Sequence, residues 1–328
     1  MALVDYDETF LHSITDPEGI LQCFEKYGAV GITDVLTKKE CESTLREVES
    51  ILIKSGVSRE FKIDNPHTYH HTNNHINRYG VVGKVPLTTS VLNYNRNHPN
   101  VKKAYSIVYG LKEDDILPEY DRVGWMRPVI GPGGEDWSMY STHYSAPGLH
   151  LDVDPQYYFE ESKSGEVLKY LNDIPYNDVS DFVTENNVKN IKMGRQLQGV
   201  LNLVDNSDEN GGFQFIPGGH ILAKEWYHKN KTRFANGSPN GRYIFTKHDY
   251  QFLNPVRLPC PAGTLIIFDV ALPHGTQPNT TDKNRVVQFL RYIPKNVFTK
   301  ETLARRHALV TKTCAPYPPY QTNQSKDG

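Results

Sequence analysis

From about residue 120 onward, the apolar residues follow a period of two, the repeat of a β-strand with one buried face. Turn sequences such as Asn210-Gly-Gly212 and Pro217-Gly-Gly219 separate these short segments. Short strands with this punctuation indicate a mainly β fold with flanking helices, whose core is a double-stranded β-helix, the cupin-like jelly roll. The candidate strands are 122–130, 137–143, 149–153, 196–204, 213–216, 243–246, 264–269 and 285–293.

The N-terminal part has helical rather than strand spacing. Asp16-Pro17 begins a helix over 17–27, and residues 28–33 form a short apolar strand. Thr37 and Glu40 make a capping box for a helix that continues to about Lys54. Another helix is predicted at about 100–109. We expect a single domain over 1–328, with N-terminal helices and a lid-like loop in 1–118, the jelly-roll core with an insertion at 155–195 in 119–295, and a C-terminal tail in 296–328.

Two segments, 64–98 and 155–195, lack a regular pattern and are rich in Tyr, Asn and His or Asp. The His-rich stretch 67–75 has no period that places its imidazoles on one face, which favours a polar loop over a second metal site. Long loops in compact domains are often functional. We therefore predict that both segments cover the mouth of the jelly roll and act as lids.

Composition excludes several classes of function. The formal net charge is −2 at pH 7, and no Lys/Arg run suited to a phosphate backbone is present, so nucleic acid is not an expected partner. The four cysteines are widely spaced and form no Cys-x-x-Cys pair, which argues against a zinc site or redox pair. No apolar run approaches the ~20 residues needed to span a bilayer. The N-terminus does not resemble a signal peptide, so we expect a cytoplasmic protein with free thiols.

The most informative short motif is His150-Leu-Asp152. Residues i and i+2 of a strand point to the same face, so this imidazole and carboxylate can reach one metal ion. With a second histidine they would form the facial triad of non-haem Fe(II) oxygenases. The motif alone is weak evidence because His-x-Asp pairs are expected by chance.

A histidine and an arginine farther along the chain make the prediction of a metal site more specific. His274 follows the strand 264–269, and Arg285 opens the strand 285–293 eleven residues later. In a jelly roll this brings an imidazole and a guanidinium to one mouth, and a guanidinium can bind a carboxylate bidentately.

Across residues 18–294 the sequence resembles the phytanoyl-CoA dioxygenase-like family of Fe(II)/2-oxoglutarate oxygenases. The resemblance lies in Gly28-Ala-Val-Gly-Ile-Thr33, His150-Leu-Asp152, the segment from Leu203 to His220, and His274-Gly-Thr with Arg285, in the family's order. It implies that His150, Asp152 and His274 bind Fe(II).

The resemblance also implies that Arg285 and Thr276 bind the far carboxylate of 2-oxoglutarate, with O2 as the other co-substrate.

Further candidates follow from strand parity. Gln198 and Asn202 lie on the mixed face of strand 196–204 and are predicted to contact co-substrate or substrate, or else to be polar groups at a sheet edge. Arg291 has the parity of Arg285 and is predicted to face a substrate carboxylate, or else solvent. The remaining substrate candidates are Tyr140 and Thr142, before the metal strand, and Tyr157, Tyr158 or Phe159, of which at least one is expected over the iron.

The expected reaction is oxidation of an unactivated C–H bond of a small molecule, most simply hydroxylation, with release of succinate and CO2. Oxidative ring closure or desaturation in natural-product biosynthesis, of the kainoid or carbapenem type, is an alternative. A non-catalytic metal-binding jelly roll is a third, disfavoured because Arg285 would be a buried cation with no anion to meet. A zinc hydrolase is the least favoured of these alternatives.

Asp152 fills the position that a halide would need, which argues against a halogenase.

Overall fold

The computed structural model describes residues 10–72, 74–141, 148–160, 164–187, 196–234, 243–249, 252 and 254–314. Two facing sheets form its centre, and the predicted double-stranded β-helix with flanking helices is confirmed. The strands are β1 (Leu11–Ser13), β2 (Ala29–Thr33), β3 (Val81–Val82), β4 (Ile116–Pro118), β5 (Val123–Met126), β6 (Leu149–Leu151), β7 (Leu197–Asn202), β8 (Phe213–Phe215), β9 (Tyr243–Ile244), β10 (Val256–Arg257), β11 (Leu265–Asp269), β12 (His274–Thr276) and β13 (Arg285–Pro294). The larger sheet has the order β1-β2-β11-β7-β13-β5-β3, with β4 beside β13, and the smaller sheet has the order β10-β8-β12-β6-β9.

Helices flank the two sheets. They are α1 (Pro17–Tyr27), α2 (Lys38–Lys54), α3 (Ser90–Asn97), α4 (Pro99–Tyr109), α5 (Pro155–Phe159), α6 (Ser164–Asp173), α7 (Ser180–Asn187), α8 (Gly219–Lys229) and α9 (Lys300–Thr313). The predicted helices at 17–27, 37–54 and 100–109 are confirmed, as is the capping box of Thr37 and Glu40. No helix within the described ranges is long and apolar enough to cross a membrane.

Strand β7 shows why its two faces differ in composition. Leu197 and Leu201 are buried in the cluster that the sheet shares with the helices. Gly199, between them, lets α4 approach closely, since a Cβ there would collide with the hydroxyl of Tyr105. Gln198 and Val200 point to the other face and line the cavity inside the β-helix. The predicted division into a helix-facing side and a cavity-facing side is therefore correct for these residues.

The strand predicted at 137–143 is wrong. Residues Ser138–Tyr140 form a turn of 3-10 helix. The carboxylate of Asp136 accepts a hydrogen bond from the Ser138 amide (2.9 Å), which closes a turn that an extended backbone could not make. The alternation of polar and apolar residues alone does not reveal this local hydrogen bond, which competes with the extended backbone of a strand.

The two segments expected as lids contain regular structure that is packed into the domain. In 64–98, Tyr69 and Thr72 of a 3-10 helix (Pro66–Thr72) are buried, and α3 follows. In the insertion 155–195, Leu171, Ile174 and Phe182 are buried in a cluster that α6 and α7 share with the C-terminal region. The described parts of both segments thus contribute residues to the buried core, and their action as lids stays a prediction.

The C-terminal region also differs from the expected tail over 296–328, because Lys300–Thr313 forms α9. Thr302, Arg306 and Leu309 are its buried positions, at helical spacing. Nε and Nη2 of Arg306 donate to the two carboxylate oxygens of Glu185 on α7 at 2.7 and 2.9 Å. The helix is hard to recognise in the sequence because a buried arginine occupies its apolar stripe.

Candidate metal centre and cavity

Three potential metal ligands converge at the facing ends of β6 and β12. His150 and His274 are direct cross-strand partners in this antiparallel pair, and their ring centroids lie 4.5 Å apart. Asp152 follows β6 by one residue, with carboxylate oxygens 3.5 Å from Nε2 of His150 and 3.9 Å from Nε2 of His274. The ligand atoms of all three residues lie within 4.8 Å of one another. The structure therefore brings together the three residues that the sequence predicts as ligands.

Hydrogen bonds orient two of these ligands. Nδ1 of His274 lies 2.8 Å from the carbonyl oxygen of Leu272, so a proton on Nδ1 leaves Nε2 as the ligand atom. Nε2 of Gln198 donates to Oδ2 of Asp152 at 3.0 Å. The rings of Phe268 and Phe213 lie 4.4 and 5.9 Å from the His274 ring and shield it from water.

The donor set fits Fe(II). Two imidazole nitrogens and one carboxylate on one side of a cavity are the facial arrangement that leaves coordination positions open. None of the three ligands is a thiolate. Burial raises the pKa of the Cys260 thiol to about 12, so that group stays neutral at physiological pH.

A cavity of about 230 Å³ extends from the triad along the inner face of the larger sheet. Arg285 and Thr276 lie among its lining residues, as a site for 2-oxoglutarate requires. Arg285 is only 3% exposed and its Cα pairs with that of Met126 across β13 and β5. The other polar and aromatic lining residues include Tyr79, Asp121, Arg122, Phe213, Phe268, Phe289 and Arg291.

Several of the predicted contacts lie elsewhere. Asn202 does not line this cavity, because its Nδ2 is directed at the carbonyl oxygens of Val200 and Thr264, 3.4 and 3.3 Å away. Tyr140 packs against Trp137 and lies beneath the guanidinium of Arg127, which is 4.1 Å from its ring centroid.

The expected aromatic cover from 157–159 also differs. Tyr158 and Phe159 are buried in the cluster of α5 and α8, where Phe159 stacks on Tyr227. The side chain of Tyr157, and Thr142 as a whole, lie outside the described residues. The aromatic residues that line the cavity and pack against His274 are instead Phe213 and Phe268.

Sequence reasoning did not identify Tyr79, Asp121, Arg122 or Phe289 as cavity residues. Phe289 shares the parity of Arg285 and Arg291, and this signal could have identified it. The other three precede β3 or β5, two short strands whose pairing only the structure defines.

Gln198→Ala is expected to lower Fe(II) affinity by roughly 10–100-fold, the usual effect of removing an outer hydrogen bond to a ligand. Without the Gln198 amide, the Asp152 carboxylate can rotate away from the other two ligands. Titration of the apoprotein with Fe(II) under anaerobic conditions measures the change, with the exposed Gln22→Ala as the control. Unchanged affinity would show that Gln198 does not orient Asp152.

Gly275→Ala should damage the metal centre through the backbone. A Cβ at Gly275 would collide with the carbonyl oxygen of Gly148, which immediately precedes the strand that carries His150. We expect the free energy of unfolding to fall by ~1–3 kcal/mol, together with a loss of Fe(II) affinity. Urea denaturation and Fe(II) titration measure both effects.

Gly133→Ala is the matched control for that substitution, since the added methyl group would meet only the flexible Glu135 side chain. Equal effects of the two changes would contradict a specific role of Gly275 in holding the two strands together.

Comparison with known proteins finds similarity over part of this site. The family model described as phytanoyl-CoA dioxygenase (PhyH) matches residues 176–287, a range that includes His274 and Arg285. A putative phytanoyl-CoA dioxygenase from Dictyostelium discoideum is 29% identical over 276 residues, which cover 83% of this chain and 74% of that protein. A phytanoyl-CoA dioxygenase domain-containing protein 1 homolog from Caenorhabditis briggsae is 32% identical over 91 residues, 27% of this chain and 32% of that one.

Among solved structures, the crystal structure of GlcNAc Inducible Gene 2 from Candida albicans has a similar fold. The TM-score is 0.56 at 16% sequence identity, and the match covers 87% of this chain and 66% of that chain. This likeness supports the double-stranded β-helix and nothing about the reaction.

The fold, the triad and these relatives define a 2-oxoglutarate-dependent non-haem iron oxygenase that uses Fe(II) and 2-oxoglutarate. Within that class, the chain is similar to phytanoyl-CoA dioxygenases, over residues 176–287 for the family model and over 276 residues for the Dictyostelium discoideum protein.

Proposed function

We propose that this protein hydroxylates an unactivated C–H bond of a small-molecule substrate. One O2 and one 2-oxoglutarate would be consumed for each C–H bond converted to C–OH, with release of succinate and CO2. The observation that carries the proposal is the position of the triad, which opens onto a cavity that also contains Arg285 and Thr276.

Each group of residues has a separate task in this proposal. His150, Asp152 and His274 hold iron on one side, and the Arg285 guanidinium and the Thr276 hydroxyl hold the far carboxylate of 2-oxoglutarate. Phe213 and Phe268 exclude water from the His274 side. Iron and 2-oxoglutarate, when bound, supply the O2-dependent oxidation, while the protein supplies orientation and a dry cavity.

The Asp152 carboxylate supports hydroxylation rather than halogenation. Asp152 accepts the Gln198 hydrogen bond and lies within coordinating reach of both histidines, so the position is filled by a protein ligand. A halide would need that position.

The test is 2-oxoglutarate turnover by the Fe(II)-loaded protein with panels of amino acids, acyl-CoA thioesters and terpenoids. Succinate release and the mass of the organic product are measured. We expect one panel to yield a product with one added oxygen atom and an equal amount of succinate, and Asp152→Ala to yield neither. A product that has lost two hydrogen atoms would show that the reaction is ring closure or desaturation and not hydroxylation. Failure of 2-oxoglutarate to be consumed with any substrate would overturn the proposal.

A further inference from the structure

We propose that Arg291 binds the carboxylate of a small substrate, at the opposite end of the cavity from Arg285. This inference rests on the proposed oxygenase function and adds the chemical class of its substrate. Both arginines line the cavity.

The two guanidiniums come from positions too far apart to serve one molecule of 2-oxoglutarate. Arg285 and Arg291 lie six residues apart on one face of β13, which places their Cα atoms roughly 20 Å apart along the strand. Side chains on a strand stand roughly perpendicular to the sheet, and the Arg291 guanidinium contacts Glu119 and Asn186, so the two guanidiniums do not extend toward each other along the strand. The five-carbon chain of 2-oxoglutarate spans about 6 Å at ~1.5 Å per C–C bond. One arginine can hold the co-substrate, and the other then faces a different ligand.

Strand register puts Arg291 beside the metal centre. Its Cα is the direct cross-strand partner of that of Gln198 on β7. The Gln198 amide in turn donates to Asp152. A group bound by Arg291 is therefore close enough to the iron side of the cavity to position a substrate for oxidation.

The Arg291 side chain is held from behind by buried acceptors. Its Nε lies 3.2 Å from Oε2 of Glu119, and the two side chains are 7% and 1% exposed. Its Nη1 lies 3.4 Å from the carbonyl oxygen of Asn186. Arg291 lines the cavity, whereas Glu119 and Asn186 do not, so the ion pair and the contact with Asn186 hold the guanidinium without occupying the cavity.

The insertion and the C-terminal helix build this support. Asn186 lies on α7, where its Nδ2 donates to the carbonyl oxygen of Tyr120 at 2.7 Å. The preceding residue, Glu185, forms the buried ion pair with Arg306 of α9. The segment that contains Glu119, helix α7 and helix α9 thus converge behind Arg291. An arginine that faced solvent at the sheet edge would need none of them.

Charge indicates the ligand class. A planar guanidinium matches a carboxylate bidentately. A second ion pair at the cavity, Arg122 with Asp121 at 3.1 Å, adds a cation and an anion that would suit an amino acid.

The test uses the Fe(II)-loaded full chain with L-amino acids, short aliphatic acids and the corresponding neutral amides. Arg291→Gln alone would leave Glu119 buried without its cation, which endangers folding. The informative variant is therefore the double substitution Arg291→Gln with Glu119→Gln, together with Arg291→Lys, which retains the charge but loses the planar fork. Arg59→Gln, an exposed arginine outside the cavity lining, is the control.

We expect the wild type to oxidise a carboxylate-bearing compound and not its amide. In the double variant the KM for that acid should rise by roughly 30-fold or more, as for other truncated buried charge pairs, and Arg291→Lys should be intermediate. The KM for 2-oxoglutarate and its substrate-independent decarboxylation should stay within about twofold. Anaerobic calorimetry with Fe(II) and 2-oxoglutarate present should show the same loss of acid binding without turnover.

An acid and its amide used equally well, or an unchanged KM in the double variant, would overturn the assignment of Arg291. A raised KM for 2-oxoglutarate would instead make Arg291 a co-substrate residue and also overturn it. Substrate-independent decarboxylation of 2-oxoglutarate separates these results from failure of the proposed function, because it needs the iron centre and Arg285 but not Arg291.

Discussion

His274→Ala is expected to abolish turnover and to lower Fe(II) affinity by more than roughly 100-fold, because loss of an outer hydrogen bond alone costs 10–100-fold. The substitution removes the ligand that β12 contributes and leaves His150 of β6 and Asp152, one residue past β6, to hold the ion. Two ligands from one strand do not define a facial site.

His274 is well suited to this test because its surroundings fix it. The side chain is 7% exposed, lies against Phe213 and Phe268, and is oriented by the Leu272 carbonyl oxygen. Alanine therefore removes a defined ligand rather than a mobile surface group. Anaerobic Fe(II) titration and succinate release give independent measures of affinity and activity.

His228→Ala is the matched control, since His228 lies on the exposed side of α8. Circular dichroism and the thermal midpoint should show that both variants are folded. Normal iron content and activity in His274→Ala would show that the distal ligand is a different residue, and the triad would have to be abandoned.

The ligand residues could be predicted from sequence because each has a local signal. His150 and Asp152 are two residues apart next to a short strand, and strand parity puts them on one face. His274 ends a turn after an apolar strand, and Arg285 begins the next strand. Resemblance to a family supplied the roles, and the structure brings the three proposed ligands together.

The residues that shape the substrate end could not be predicted in the same way. Glu119 and Asn186 reach Arg291 from a segment beside β4 and from the insertion, 172 and 105 positions away in sequence. No spacing rule connects such residues. The parity of Arg291 left both an inward and a solvent-facing side chain open, and only tertiary structure reveals its place in the cavity lining and its ion pair.

Helix α9 illustrates a different limit. Its buried stripe includes Arg306, which the hydrophobic period counts as polar. The charge is buried because Glu185 neutralises it, and this pairing joins the insertion to the C-terminal helix. Patterns of hydrophobicity fail where a buried ion pair replaces apolar contact.

Arg285→Ala is expected to raise the KM for 2-oxoglutarate by roughly 30-fold or more, while Fe(II) binding stays nearly intact. Removal of one partner of a buried charge pair typically costs ~2–5 kcal/mol, and each ~1.4 kcal/mol is tenfold in affinity. The Arg285 side chain opens β13 beside Met126 and lines the cavity that the triad faces. It is not one of the three potential metal ligands.

Initial rates of succinate formation at varied 2-oxoglutarate give the KM, and anaerobic titration gives iron affinity. Arg285→Lys should recover only part of the affinity, because an ammonium group keeps the charge but cannot bind a carboxylate as a planar fork. Arg257→Ala, at an exposed arginine on β10, controls for general loss of positive charge. An unchanged KM in Arg285→Ala would move the anchor elsewhere, with Arg291 as the next candidate. The substrate assignment of Arg291 would then fail as well, because the two arginines are assigned to opposite ends of one cavity.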